Sequence, residues 1–349
     1  PISFKTGFKH DFGTSLSLKQ SLWCGGRVIN AYKVAKLYKK YANALVHQVE
    51  YNIVAAAEKL YHAAILTQSN YDVVLKAYEA NSENLEVAQK LYDKGMISEY
   101  ELLRAKVEKA NLQPQLIQTE SAVKLAQKDL KSFIGIPLDE RIQLVDINSD
   151  VAVVENLKLD SLVAYAMENR PELKQAEYTT EMSRRAVSIM KADYYPKLEA
   201  VSSYNWNATS DQLSLSQNST TSWSAGITVS IPIFKGGETR GNVKKYHAEY
   251  KQAEIDERDK RINLELEVEK AYDMLIEAKK SLDVQSETIN QAEEGLRIAN
   301  VRYESGVGTQ LEVISAQSAL TQARNSLAYA KYSFETAKSE LKRVTTIEF

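Results

Sequence analysis

Displaced by 211 residues, the chain aligns with itself without a gap, and this repeat limits its fold more than any other feature of the sequence. "LWCGGR" (22–27) falls on "IFKGGE" (233–238), and Tyr92 and Gly95 fall on Tyr303 and Gly306. Glu101 and Ala105 fall on Glu312 and Ala316, and "AQKDLK" (126–131) on "AKSELK" (337–342). Unrelated segments of similar composition would not align glycines, aromatics and charges together over about 120 residues. The expected organisation is a first repeat over 1–135, a linking region over 136–160 and a second repeat over 157–349. Pro1 already aligns with Gln212, so the counterpart of 157–211 is expected upstream of this sequence.

Within the second copy the periodicity changes twice. Residues 157–193 read as a helix, with a weak point at "NRPEL", where Pro171 removes a helical donor. Two strands are expected next, over about 197–206 and 222–234. In the second of these, Ile227, Val229 and Ile231 alternate with Thr228, Ser230 and Pro232, a period of two with one apolar face. Tyr204 and Trp206 share a face in the first, and Leu16 and Leu18 alternate with serine and lysine in the corresponding strand of the first copy. The polar stretch 207–221 reads as a loop between strands. Each strand-to-helix corner carries paired glycines, Gly25 and Gly26, then Gly236 and Gly237.

Beyond the corner a helix is expected over 239–302, then a turn over 303–309 and a helix over 310–345. The first helix has a four-three seam: Leu264, Val268, Ala271, Leu275, Ala278, Leu282, Gln285, Ile289, Ala292, Leu296, Ala299. The seam resumes after the turn as Val313, Ala316, Leu320, Ala323, Leu327, Ala330, Phe334, Ala337, Leu341, Val344. Large residues alternating with alanine let two helices approach closely, and with only a short break at 304–309 between them the pair should fold back antiparallel. At 1.5 Å per residue the longer helix would extend about 95 Å and the shorter about 54 Å. Residues 157–193 are therefore expected to cover the remaining length.

Composition excludes several classes of function. A net charge of -2 gives no nucleic-acid footprint. One cysteine, Cys24, rules out an internal disulfide framework. No apolar run reaches the length of a transmembrane helix, but a membrane β-strand needs only about 9 to 11 alternating residues. The alternating strands also suit a soluble sandwich. They are few, however, and too few to close a barrel without strands from other chains, and their aliphatic faces end in Trp and Tyr as a lipid-facing band does. His10, His47, His62 and His247 are scattered without metal-ligand spacing, and no catalytic, metal or cofactor-binding constellation is found. No enzyme activity is expected.

A strand ending "SIPIFKGGETRG", a long helix and then "RYESGVGTQLEVISAQSALTQAR", with both parts duplicated, resembles the TolC-type outer-membrane efflux factors. "LVAYAMENRPELKQAE" leading to "MKADYYPKLEA" is similar to that family's helix before its strand. The resemblance implies a mainly α fold with a small β part. Long antiparallel coiled-coil helices would form a trimeric α-barrel tunnel, and each protomer would add strands to a shared 12-stranded transmembrane β-barrel. Region 136–160 would lie in an equatorial belt. The implied protein is a homotrimeric conduit in the outer membrane of a Gram-negative bacterium, with a large periplasmic extension. It would act with a periplasmic adaptor (membrane fusion) protein and an inner-membrane pump, in tripartite efflux or type I secretion.

The resemblance also implies roles for residues. Gly95, Ser98, Glu101, Leu102, Gly306, Thr309, Glu312 and Val313 would lie at periplasmic tips that contact the adaptor. Glu312 would stand at a pore constriction, with Ser315 in the place of a second carboxylate. Leu16, Leu18, Tyr204, Trp206, Ile227, Val229 and Ile231 would face outer-membrane lipid. From the residues alone, the glycines need only reverse the helices, with Ser98 and Thr309 capping the returning ones. The alternative to a conduit is a coiled-coil scaffold of the envelope without a pore.

Overall fold

The computed structural model describes residues 7–145, 157–211 and 219–347. Residues 146–156 of the expected linking region and 212–218 of the expected polar loop lie outside these. In chain order the elements are β1 (His10–Trp23), α1 (Arg27–Asp93), α2 (Glu99–Ile134), α3 (Leu159–Asn169) and α4 (Pro171–Lys191). A 3-10 turn (Ala192–Tyr194) leads to β2 (Lys197–Ser210), β3 (Ser219–Ser230), α5 (Glu238–Glu304) and α6 (Gln310–Thr345). Helices α1 and α5 have 67 residues each, and α2 and α6 have 36 each. Every boundary of α5 and α6 is that of α1 and α2 displaced by 211 residues.

The chain divides into two compact units, 1–45 with 172–260 and 46–171 with 261–349. The first unit holds the antiparallel sheet, in the order β1-β2-β3. Its register places Leu16 opposite Tyr204 and Tyr204 opposite Trp223, then Leu18 opposite Ser202 and Ser202 opposite Ala225. Ala200 lies opposite Ile227 and Leu198 opposite Val229. Directly opposed residues share a face, so all these side chains lie on one side of the sheet. The other side carries Ser17, Ser203 and Ser224 in one row and Ser15, Asn205 and Ser222 in the next. On that polar face Ser203 and Ser224 are hydrogen-bonded at 2.9 Å, and Lys19 pairs with Glu199 at 2.9 Å.

The expected strand over 222–234 stops early: β3 ends at Ser230, and Ile231, though exposed, lies beyond the ladder. Pro232 has no N–H to donate, which explains the early end. The strand expected over about 197–206 runs on to Ser210.

In the second unit the four-three seam is the packed line of its helices. Leu264, Val268, Ala271, Leu275, Ala278 and Leu282 are buried, and the remaining members on α5 are buried or half-buried. On α6, Val313, Leu320, Ala323, Ala330, Phe334, Ala337, Leu341 and Val344 are buried. The single helix expected over 157–193 is instead α3 and α4, interrupted at Arg170, whose ψ is 125°. A residue before proline is driven out of the helical region, and Pro171 then serves as the first residue of the next helix. The break is fixed by charge. Buried Arg170 donates to the Arg343 carbonyl at 2.5 Å, and Arg343 donates to Glu267 at 2.6 Å and to Glu340 at 2.7 Å. Burial opposes the charge on Arg343, but its hydrogen bond to Glu340 is the larger effect and raises its pKa.

Candidate functional site: helix-hairpin tips and strand corners

Each long helix ends in the same backbone device. Gly95 N–H donates to the Tyr92 carbonyl at 2.8 Å, and Met96 N–H to Leu91 at 2.9 Å. In the second copy Gly306 donates to Tyr303 and Val307 to Arg302, both at 3.0 Å. These are the paired bonds of a Schellman cap, which requires a left-handed residue, and the glycines have φ of 70° and 74°. The returning helices start on Ser98 and Thr309, whose hydroxyls accept from the N–H of Glu101 and Glu312, each at 3.3 Å.

Beyond the caps the two tips differ. Glu101 turns back to its own helix start and accepts from Ser98 N–H at 2.9 Å, completing a capping box. Glu312 instead reaches across the turn and accepts from Arg302 Nε at 3.2 Å. Arg302 corresponds to Leu91 in the first copy, so that tip cannot form this ion pair. The tips also differ one residue before the cap. In the first, Ile97 packs on a small core of Ala88, Leu102 and Ala105. In the second, Gly308 lies so close to the helix end that an added Cβ would stand 2.8 Å from Arg302 Cβ and 3.0 Å from its carbonyl carbon.

At the strand-to-helix corners all four glycines have positive φ: Gly25 60°, Gly26 82°, Gly236 55° and Gly237 83°. Gly25 is also crowded, since an added Cβ would lie 2.9 Å from the Ala192 carbonyl oxygen. Asp193 ties that corner together, with Arg27 at 2.5 Å and Lys197 at 3.2 Å. Desolvation raises the Asp193 pKa, but hydrogen bonds from Arg27 and Lys197 together outweigh it and hold the carboxyl below its ordinary range. Trp23 packs edge-on to Tyr195 at the same place, with ring centroids 6.2 Å apart.

The model of the family described as "Outer membrane efflux protein" matches residues 162–346, more than half of the chain. The chain belongs to the outer membrane efflux protein family. Among its relatives, the alkaline protease secretion protein AprF of Pseudomonas aeruginosa is 24% identical, over 97% of this chain and 70% of that protein. The proteases secretion protein PrtF of Dickeya chrysanthemi is 22% identical, over 77% of this chain and 58% of the relative, so the chain covers less than two thirds of it. The crystal structure of the outer membrane protein VceC from Vibrio cholerae superposes with a TM-score of 0.80 at 18% identity, covering 95% of this chain and 78% of that one. The fold, mainly α with a small β part, is that of outer-membrane tunnel channels. Membership of the family makes the chain a component of an outer-membrane export channel, a conduit and not an enzyme.

The structure sorts the residues expected at the tips into two groups. Gly95, Ser98, Gly306, Thr309, Glu312 and Ser315 are exposed, and Glu101 is half-exposed. Leu102 and Val313 are only 5% and 3% exposed, so they hold the hairpins closed and offer no surface to a partner. The exposed apolar side chains at the tips are ones that heptad reasoning passes over: Met96 and Tyr100 in the first copy, Val307 and Leu311 in the second. Each pair is related by the 211-residue displacement, and that equivalence was the signal available to find them. Of the histidines, His47 pairs with Glu50 at 2.9 Å and His62 is buried against Ser339. Among the described residues no cluster suited to a metal ion occurs, and no helix is long and apolar enough to cross a membrane, which says nothing of a β-barrel.

Proposed function

We propose that the chain is the conduit subunit of a tripartite efflux or type I secretion system in a Gram-negative outer membrane. It assembles as a homotrimer, pools its strands into a 12-stranded barrel and extends its helices into the periplasm. Region 136–160 belongs to an equatorial belt on this reading, and the two repeats, 1–135 and 157–349, supply parallel sets of strands and helices. The observation that carries it is the sheet. Leu16, Leu18, Trp223, Ile227 and Val229 are 74%, 69%, 76%, 68% and 60% exposed on one face, opposite a face of serine, asparagine and threonine. An uncovered apolar face opposite a hydrophilic one suits a wall between lipid and a water-filled lumen. Tyr204 and Trp206 belong to the lipid-facing band with them.

Gating belongs at the hairpin tips, where a periplasmic adaptor coupled to an inner-membrane pump makes contact. Support comes from Met96, Tyr100, Val307 and Leu311, which give both tips an exposed apolar surface of matched position. The test has two parts. Protein extracted in detergent should migrate as a heat-stable trimer and give stepwise conductance in planar bilayers. Gly95→Trp and Gly306→Trp should lower export while leaving trimer and membrane insertion intact. Loss of the trimer in those variants would assign the glycines to folding alone. Monodisperse protein without detergent, and no conductance, would return the chain to a scaffold without a pore.

A further inference from the structure

In the first unit, α1 leaves the sheet with an unbalanced charge. Between Arg27 and Glu50 it carries Lys33, Lys36, Lys39 and Lys40 and no acidic residue. Cations this near a helix N-terminus gain nothing from its dipole. The repeat does not demand them either. The equivalent stretch of α5, 239–260, interleaves its lysines with Glu249, Glu254, Asp256, Glu257 and Asp259, and Lys251 pairs with Glu254 at 2.6 Å. Among the described residues Lys33 and Lys36 are exposed and make no ion pair.

The cations share one stripe of the helix. Asn30, Val34, Leu37, Tyr41 and Ala44 are buried or half-buried, and the Lys40 ammonium reaches the Tyr178 ring of α4 at 5.9 Å. An exposed apolar stripe, Ala31, Ala35, Tyr38 and Leu45, stands about 100° from that packed line. Ile29, Lys33, Lys36 and Lys40 form a third, about 90° from it in the opposite sense. With α4 on one stripe and a second helix on the apolar one, the basic stripe occupies the wider sector between neighbours. In a closed ring of helices the wider sector faces outward.

Helix α5 flanks α4 on the other side, following the order β1-β2-β3, and Thr180 Oγ1 donates to the Ala253 carbonyl at 3.2 Å. Its half-buried line is Val243, Tyr246, Tyr250 and Ala253, and exposed Arg240, Lys244, His247 and Lys251 stand about 110° on. Because α1 and α5 run the same way on opposite sides of α4, these opposite rotations bring both basic stripes to one side of the wall.

The α1 stripe is also graded along its length. Ile29, with Tyr32 beside it, is exposed in the first turns, at 63% and 71%, and Trp23 and Tyr195 are exposed at the same corner. Lys33 and Lys36 follow at about 9 and 14 Å from the helix start. Apolar, aromatic and then basic side chains, starting from an apolar sheet face, follow the order of acyl chains, interface and headgroups.

We propose that the outward stripes of α1 and α5 beside the sheet bind the phosphodiester headgroups of anionic phospholipid, with Lys33, Lys36 and Lys244 on phosphate and Ile29 and Tyr32 at the acyl boundary. The inference rests on the conduit reading, which puts the sheet in the outer membrane.

The experiment titrates dioctanoylphosphatidylglycerol into the purified full chain in dodecyl maltoside, followed calorimetrically, with dioctanoylphosphatidylcholine as the neutral counterpart. Saturable binding of the anionic lipid and none of the neutral one are expected. Lys33→Gln/Lys36→Gln should weaken it by about tenfold or more, since each lysine near an anionic surface contributes about a factor of five. Lys33→Arg/Lys36→Arg should retain it. Lys270→Gln/Lys280→Gln, an equal loss of exposed charge far along α5, should leave it unchanged. Inorganic phosphate at the same concentration should not displace the lipid. Absence of saturable binding, equal binding of phosphatidylcholine, displacement by phosphate, or equal affinities in folded Lys33→Gln/Lys36→Gln and Lys270→Gln/Lys280→Gln proteins would overturn the proposal. Conductance of the parent protein separates the two readings. A conducting trimer that ignores phosphatidylglycerol overturns the headgroup site alone, whereas absence of trimer and conductance overturns the conduit on which it rests.

Discussion

Gly306 and Gly308 sit two residues apart and are required for different reasons. Gly306 has open space around it but a φ of 74°, so a side chain there meets only backbone strain. Gly308 carries no such φ, yet it abuts the backbone of Arg302 and Tyr303, which cannot swing aside. Gly306→Ala should cost about 1–2 kcal/mol, the usual penalty for a side chain in the left-handed region. Gly308→Ala should cost more, because the turn must open to admit it. Thermal unfolding in detergent would order them: Gly95→Ala should match Gly306→Ala, and Gly308→Ala should melt lowest. The glycines are legible in sequence, but their distinct roles are not, since a close approach is a property of folded backbone. Ile97, the counterpart of Gly308, shows the same limit, because the sequence alone does not say that one tip packs a side chain at this place and the other brings its backbone into close contact there.

Among the helices, the seam was readable because a four-three spacing of Leu, Val and Ala on α5 and α6 has a single way to be buried. The contact of α1 with α6 is less regular and buries an ionisable group. Desolvation lowers the His62 pKa below the ordinary 6.5 and outweighs Glu335 and Glu58, which raise it, while Lys338 and Lys342 lower it further. Tyr61 and Ser339 are its remaining polar neighbours. The folded chain thus takes up the His62 proton at lower pH than the unfolded chain. The stability this contributes is complete above 6.5 and is lost as pH falls through 6.5 toward the folded value. Melting temperature should therefore decline on acidification across that window, and His62→Gln should flatten the decline. An unchanged slope in His62→Gln would assign the pH dependence to other groups. The division into α3 and α4 was half legible: Pro171 marked the weak point. The buried Arg170–Arg343–Glu267 contacts that fix it join residues far apart in the chain, and no local pattern announces those.

For the whole molecule, the Arg302–Glu312 pair changes what the proposed pore mouth would present. In the proposed trimer, three copies of Glu312 alone would form an anionic ring. Paired at 3.2 Å with Arg302, each carboxylate is largely balanced, and Ser315 adds no charge one turn on. Both partners are about half-exposed, so the pair affects the local field more than stability. Reversal potentials in a salt gradient should shift toward cation preference in Arg302→Gln and toward anion preference in Glu312→Gln, with the double variant near the parent. Both shifts should shrink near 1 M salt, where screening acts within about 3 Å. Equal selectivity in all four proteins would place the constriction elsewhere.

The sequence by itself determined the repeat, the lengths of its helices, the seam they bury and the alternation of its strands. All of these are periodic or local, and a spacing of two, three or four residues has the same physical consequence wherever it occurs. Only the tertiary structure decided that Leu102 and Val313 are interior and that Met96, Tyr100, Val307 and Leu311 are surface. It alone paired Glu312 with Arg302 and set buried Arg170 against the Arg343 carbonyl. Those outcomes depend on which distant atoms meet, and on how much water is left between them once they do.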